Sequence, residues 1–334
     1  MIKTDKEKID AVILWVDDTD EKWIEEKNKY SNLKGDKSII RFRDCKNLNY
    51  VFRSIEKNMP WINNIFFVTC GQTPKWLNVN HPKLKMVNHK DFIPEKYLPT
   101  FNSNVIEMNL HRIDELSEKF ILFNDDIFVT DYAEKEYFFK DNIPTDMYCE
   151  AILAPRECYD NFFFTMGNCV GIINSHFNKK DFFENHIDKI YNPLYEEYNE
   201  ITKKLTSCKD RFTGFICFHT AQPYLKSTFK EVWEKEEKAL DIACQNKFRA
   251  PTDISHFVCR YWQMITGNFV PRKDQSKYFA YLDDNTEAID AITNNKYKVV
   301  CINDVYTNIN FEKSRDEIND ALEKILPDKC SYEK

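Results

Sequence analysis

Short apolar runs of strand length alternate with helix-spaced stretches through roughly the first 130 residues, and this alternation constrains the fold more than any other feature. "DAVILWV" (10–16), "NIFFVTC" (64–70), "LKMVNH" (84–89) and "KFILFNDDIFV" (119–129) read as strands. Between them, Asp20 opens a polar, charged helix, and "NLNYVFRSIEKNMPWI" sets Leu48, Val51, Phe52, Ile55 and Met59 at helical spacing. The turn "GQTPKW" closes the second strand, and "DFIPEKYLPTFNS" reads as a loop. "NVIEMNLHRIDEL" predicts a helix over 104–116, capped by Asn102 or Ser103. Strands interleaved with helices predict a three-layer α/β fold around a mostly parallel sheet. In such sheets ligands gather beyond the carboxyl ends of the strands.

Two of those ends carry acids, in "WVDDTD" and "LFNDDIFV". In the second, Asn124, Asp125 and Asp126 interrupt an apolar run that resumes as "IFV", so the acids mark the strand's end and "IFV" leads away from it. Hard oxygen donors at such a place suit Mg²⁺ or Mn²⁺ bridging to phosphate oxygens. They equally suit a turn whose acids are solvated.

From about residue 131 the pattern changes. "YFFKDNIP" and "NFFFTMGNCVGIIN" read as insertions and further strands, and 176–247 as helical and charged. The segment from "AIDAIT" to "EKIL" reads as helix, strand, loop, helix. No linker, low-complexity tract or internal repeat divides the chain.

Composition excludes several functions. With 6 glycines in 334 residues and no GxGxxG or GxxxxGK[ST], a glycine-rich phosphate loop is ruled out, so any nucleotide must be gripped by other groups. The net charge of −7 argues against nucleic-acid binding through a basic field. Eleven scattered cysteines without a CxxC pair read as reduced core thiols. The N-terminal stretch lacks the apolar core and cleavage site of a signal peptide, and no apolar run is long enough to span a bilayer, so a cytoplasmic location is expected.

Four side chains stand out as candidates for chemistry. Glu107 sits on an otherwise apolar helical stretch, with His111 one turn later on the same face. Such a carboxylate is either solvent-facing or buried near a metal, and His111 reads as structural. His219, where "GFICF" meets a proline-containing turn, reads as a core histidine or a base. Arg249 in "NKFRAPTDISHF" precedes a proline and a helix cap around Thr252 or Asp253. It suits a bidentate clamp on a diphosphate, or a partner for the helix's own acids.

Several stretches resemble the Stealth family. "IDAVILWVDDTDEKW", "RFRDCKNLNYVFRSIEKNMPWINNIFFVTCGQTPKWL" and "HKDFIPEKYLPTFNSNVIEMNLHRIDELSEKFILFNDDIFV" are similar to its first two blocks. "CFHTAQPYLK" and "NKFRAPTDISHFVCRYWQMITG" are similar to its third and fourth. The resemblance spans roughly residues 9–267. It implies transfer of a hexose or N-acetylhexosamine 1-phosphate, usually from a UDP-sugar, to a glycan hydroxyl in capsular or cell-surface polysaccharide synthesis.

By the same resemblance Glu107, Asp126, His219 and Arg249 match catalytic residues, and Trp15, Asp17, Asn102 and Asn124 are expected to contact the nucleotide-sugar. Asp125 and Asp126 are expected to hold Mg²⁺ or Mn²⁺, with Glu107 a further candidate for that ion. His219 is the expected base, with Glu107 its competitor. Asp18 and Thr19 depart from the family's usual glycine and serine after Asp17. The expected architecture is a single composite catalytic domain. It has an α/β core, Rossmann-like with a mostly parallel sheet and flanking helices (about 9–130 and 211–310), and a helical insertion (about 131–210). Expected partners are a UDP-sugar donor and a glycan acceptor, with peripheral association at the inner face of the membrane.

Overall fold

A computed structural model of the chain describes residues 8–156, 160–196, 198–206, 210–306 and 308–334. Its strands are β1 (Ile9–Leu14), β2 (Ile65–Thr69), β3 (Leu84–Asn88), β4 (Lys119–Asn124), β5 (Ile127–Val129) and β6 (Phe139–Lys140). They continue as β7 (Ile143–Asp146), β8 (Gln222–Leu225), β9 (Val270–Pro271), β10 (Ser276–Ala280) and β11 (Val299–Asn303). The helices that shape the site and the core are α1 (Glu21–Lys29), α2 (Leu48–Asn58), α3 (Ser103–Met108), α4 (Asn161–His176) and α5 (Lys226–Cys244). With them go α6 (Phe257–Ile265), α7 (Thr286–Thr293) and α8 (Phe311–Ile325).

The main sheet has the order β3-β2-β1-β4-β8. β1 pairs in parallel with β2 and β4, β2 pairs in parallel with β3, and β8 closes the edge antiparallel to β4. This is the expected α/β fold with a mostly parallel sheet. The central strands, buried on both faces, are mostly apolar, as parallel strands between two helical layers need. Alternate residues of β1 enter separate cores. Val12 and Leu14 join Phe66, Val68, Phe120 and Leu122 on one face, packed by α3, α5, α6 and α4. Ile9, Ala11 and Ile13 join Ile65, Phe67, Ile121 and Phe123 on the other, packed by α2, α7 and α8.

Helix α2 shows how the pattern becomes packing. Its stripe buries Leu48, Val51, Phe52 and Ile55, each side chain contributing roughly 1.5–3 kcal/mol. Phe52→Ala removes the ring that meets Phe67, Trp76 and Tyr332, at a cost of roughly 3–5 kcal/mol. The same helix buries two polar side chains that bond to the next sheet. Ser54 Oγ accepts the Val129 N–H, and Asn58 Nδ2 donates to the Val129 carbonyl. These bonds hold β5 in place.

Several local expectations are corrected. The fourth apolar run is two strands: β4 ends at Asn124, and β5 pairs antiparallel with β11 in a second sheet, β10-β11-β5. "NFFFTMGNCVGIIN" is not strand but α4, started by Asp160 accepting the Phe163 N–H. A 14-residue apolar stretch is too long for an ordinary strand, and its cap was the local signal. The helix predicted over 104–116 stops at Met108 and continues as a 3₁₀ turn over Leu110–Arg112. "QPYL" is no turn but edge strand β8, where Pro223 is tolerated because an edge leaves one row of N–H groups unused. The nine described cysteines are free thiols; Cys158 and Cys208 lie outside the described residues.

Candidate active site

The sheet order reverses direction between β1 and β4, and at their carboxyl ends opens one cleft. It is lined by Trp15, Ser103, Glu107, Asn124, Asp125, Asp126, His219, Arg249 and their neighbours. This is the switch point at which α/β sheets bind ligands. The chain leaves β4 at Asn124, turns through Asp125 and Asp126, and enters the second sheet. The Asp126 carbonyl accepts the Ile302 N–H of β11 at 2.9 Å. The acids therefore occupy the joint between two sheets, where neither ladder needs their side chains.

Glu107, Asp126, His219 and Arg249 converge here from four separate parts of the chain. Glu107 projects from α3, whose N-terminus Asn102 caps through its side-chain oxygen. Arg249 Nη2 donates to Ser103 Oγ at 2.9 Å, tying it to the first turn of the same helix. Its backbone is fixed by a bridge to Asp36 and by the Phe248 ring stacked on Phe101. Gly35 (φ +138°) is required for that approach, since a Cβ there would meet the Phe248 Cβ at 2.5 Å. His219 lies just before β8, with Nε2 3.3 Å from Asp126 Oδ2.

Electrostatics set these groups apart from ordinary surface charges. Burial pushes the Glu107 carboxyl up to about 7, against the pull of Arg249 and His219. Burial acts to lower His219, yet Asp126, by charge and hydrogen bond, and Glu107 hold it above the ordinary histidine value. Burial and then the Asp126 and Asp44 charges drive Asp125 well above the usual carboxylate range. Burial and the nearby Arg41 depress Arg249. Asp126 Oδ1 is buried with no hydrogen-bond partner among the described residues. An orphaned carboxylate oxygen beside a second strained carboxylate and the Asn124 amide is a donor set that fits a hard divalent cation. Cys301 Sγ also falls within 4.8 Å of Asp126 and His219 donor atoms. Burial keeps that thiol far above its ordinary pKa, so it is a neutral neighbour rather than a thiolate.

The four residues expected to contact the nucleotide-sugar divide. Trp15 and Asn124 line the cleft. Asn102 is fully buried and does not: besides capping α3, its Nδ2 donates to Asp253 Oδ2 at 2.9 Å. Asp17 also lies outside the lining; Oδ1 accepts the Thr19 N–H and hydroxyl, and Gln72 clamps its backbone. Asp253 caps no helix but gathers Asn102, Asn104 and Asn246, joining the Glu107 and Arg249 segments. His111 does not share a face with Glu107, because the α-helix ends before it. It packs on Phe229 and Trp233, and burial pushes its pKa down to about 3.

Several site residues carried too little sequence signal to be singled out. Arg41 and Arg43 line the cleft. Arg41 donates Nε to Asp36, and Arg43 grips Asp304 with two bonds of 2.6 Å while stacked on Phe311. The one usable hint is the absence of a glycine-rich phosphate loop, which leaves phosphate binding to other groups. Behind Glu107 stands His256, Nε2 3.7 Å from Oε2, with Nδ1 2.5 Å from the Tyr224 hydroxyl. Burial, then the His219 charge, push the His256 pKa down to about 3. A neutral imidazole that accepts the Tyr224 O–H at Nδ1 carries its own proton on Nε2, facing Glu107.

Comparison with known proteins decides the family. A profile described as Stealth protein CR1, conserved region 1, matches residues 7–35, and Stealth protein CR2, conserved region 2, matches 41–146. Capsular polysaccharide phosphotransferase WcwK of Streptococcus pneumoniae is 41% identical over 333 residues, covering 98% of each chain. The chain belongs to the Stealth family. Receptor polysaccharide phosphotransferase WefC of Streptococcus gordonii is 36% identical, covering 98% of this chain and 99% of that one. Exopolysaccharide phosphotransferase cps2G of Lactiplantibacillus plantarum is 33% identical, over 98% and 96%. In this Stealth protein the two profiles span β1 to β7 and so carry Trp15, Glu107 and Asp126; His219 and Arg249 come from the remainder that the full-length relatives also cover.

Proposed function

We propose that this Stealth protein is a polysaccharide phosphotransferase that moves a hexose or N-acetylhexosamine 1-phosphate from a UDP-sugar to a glycan hydroxyl, releasing UMP. The observation that carries this reading is the convergence of Glu107, Asp126, His219 and Arg249 on one cleft at the switch point, with Arg41 beside them. The relatives named as capsular, receptor and exopolysaccharide phosphotransferases support it.

The acceptor oxygen attacks the β-phosphorus, an oxygen–phosphorus bond forms, and the bond to the oxygen bridging the two phosphorus atoms breaks. UMP leaves with that electron pair. Such chemistry needs positioning and charge neutralisation more than covalent help. Arg249 and Arg41 face the phosphoryl oxygens, Arg249 oriented by Ser103. His219 Nε2 donates to Asp126, so the acceptor proton passes to His219 Nδ1, and the Asp126 carboxylate stabilises the imidazolium that forms. Glu107, tuned to about 7, is the competing acceptor for that proton. Asp125 and Asp126 would hold a divalent cation, Mg²⁺ or Mn²⁺, with Asn124 beside them. When bound, such an ion supplies charge neutralisation to the diphosphate. No helix among the described residues is long and apolar enough to cross a membrane. The proposed place of work is the cytoplasmic face, where peripheral contact with polysaccharide assembly supplies the acceptor.

The test is incubation with a panel of UDP-sugars, Mg²⁺ or Mn²⁺ and oligosaccharide acceptors, with nucleotide products separated. UMP with a phosphodiester-linked sugar is the expected result. Release of UDP would replace this reading with glycosyl transfer.

A further inference from the structure

The cleft accounts for a donor, but a transfer also needs a place for the acceptor. A base that takes the acceptor's proton must touch the cleft on one side and the incoming hydroxyl on another. His219 is placed for this, because its side chain lines the cleft and yet remains 28% exposed.

Beside His219 stands Tyr278. Their ring centroids are 6.1 Å apart and their planes cross at 81°. Tyr278 does not line the donor cleft, and it is 43% exposed. A lone exposed aromatic is ordinary, but the sheet register makes this one specific. On β10 it pairs directly with Cys301 of β11, and Cys301 Sγ lies within 4.8 Å of the Asp126 and His219 donor atoms. The ring is thus built onto the strand row next to the reacting groups. A second exposed ring, Tyr306, follows β11. Arg43, whose guanidinium lines the cleft, also donates to the Tyr306 carbonyl at 3.4 Å, joining this rim to the cleft wall.

We propose that Tyr278 forms the acceptor subsite, a platform on which a pyranose of the acceptor glycan stacks with its hydroxyl toward His219. A rigid ring offers a large amphipathic contact at low entropic cost, and its electron-rich face suits the C–H edge of a sugar. Donor and acceptor then approach His219 from different sides, and Tyr278 contributes to acceptor affinity without touching the nucleotide. This assignment rests on the phosphotransferase reading given above.

The experiment uses the full chain, the UDP-sugar that wild type accepts, and repeat-unit oligosaccharides freed from the producing cell's surface polysaccharide by hydrogen fluoride, which cleaves phosphodiesters. Acceptor KM, donor KM and acceptor-free UMP release to water are measured for Tyr278→Ala, Tyr278→Phe and Tyr278→Leu. Tyr278→Ala is expected to raise the acceptor KM roughly three- to tenfold, the loss of one stacking contact. Donor KM and water-dependent UMP release stay within about twofold, and Tyr278→Phe resembles wild type. Tyr278→Leu keeps the bulk against β11 and is expected to lose acceptor affinity as Ala does. It carries the test if Tyr278→Ala does not fold. An active wild type with acceptor KM unchanged in both Ala and Leu variants overturns the subsite alone, as does an equal rise in donor KM. A wild type that releases no UMP from any UDP-sugar overturns the phosphotransferase reading and the subsite with it.

Discussion

Two aspartates of this chain face cations, Asp146 buried and Asp126 half-buried, and they are treated in opposite ways. Asp146 meets Arg260 in a pair with 7% and 1% of the side chains exposed. Oδ2 accepts from Arg260 Nε at 2.7 Å, and Oδ1 accepts from Nη2 at 2.8 Å and from the Met147 N–H at 2.7 Å. Arg260 Nη1 also donates to the Ile216 carbonyl, so this pair steadies the segment leading to His219. Asp126 is held more loosely: Oδ2 lies 3.3 Å from His219 Nε2, the Cys301 thiol is nearby, and Oδ1 is buried without a hydrogen-bond partner among the described residues. Desolvation is costly for either carboxylate. At Asp146 the protein offsets that cost in full, whereas at Asp126 the described residues offset it only in part. Satisfied charge fixes structure here, and the unsatisfied carboxylate lies in the cleft proposed as the active site.

Substitutions can break this contrast, beginning with activity. Arg249→Lys keeps the charge but loses the planar fork, so transferase turnover should fall roughly 10³-fold or more while the thermal midpoint stays put. Near-normal turnover would remove Arg249 from the reaction. On the satisfied side, Asp146→Ala strands the Arg260 charge and should cost roughly 3–5 kcal/mol in urea denaturation, with turnover per folded molecule retained. Replacing both partners, Asp146→Leu with Arg260→Met, should recover most of that stability; failure to do so would mean that the pair does more than neutralise itself.

Glu107 sharpens the comparison through pH. Its folded pKa of about 7 lies above the ordinary 4.5, so the folded state favours its proton. Its contribution to stability is full below pH 4.5 and declines as pH rises through 7. Glu107→Gln is therefore expected to match wild type at pH 4.5 and to exceed it by up to roughly 3 kcal/mol at pH 8 without added divalent ion, while turnover collapses. Equal stabilities at both pH values would show that the carboxylate is not strained. The smallest effect belongs to His256, which touches only Glu107 and Tyr224 among the polar groups named here. His256→Leu should lower kcat roughly tenfold with both KM values unchanged. His256→Gln keeps a donor near the Nε2 position and should recover most of the loss.

The fold was legible where local pattern governs it. The four apolar runs became β1 to β4, with β5 split from the fourth, and the stripe from Leu48 to Ile55 became α2. Legibility failed in α4, where phenylalanines and β-branched residues mimic strand composition. It failed again after Met108, where the chain tightens to a 3₁₀ turn and carries His111 away from Glu107. Within the site, the acids at the end of β4 could be found by their interruption of an apolar run. Arg41, Arg43, His256 and Tyr278 could not, because each sits in an ordinary local context and gains its meaning from a neighbour distant in sequence.

The sequence by itself determined the alternation of strands and helices, the apolar faces they bury and the acids at the end of β4, since all three are set by residues near one another in the chain. Only the tertiary structure decided which charges meet. Ser103 and Arg249, 146 positions apart, are joined by one hydrogen bond, and the pKa of Glu107 is raised by burial that other segments create. Desolvation and pairing depend on what surrounds a group, and those surroundings exist only once the sheet order has brought distant segments to one switch point.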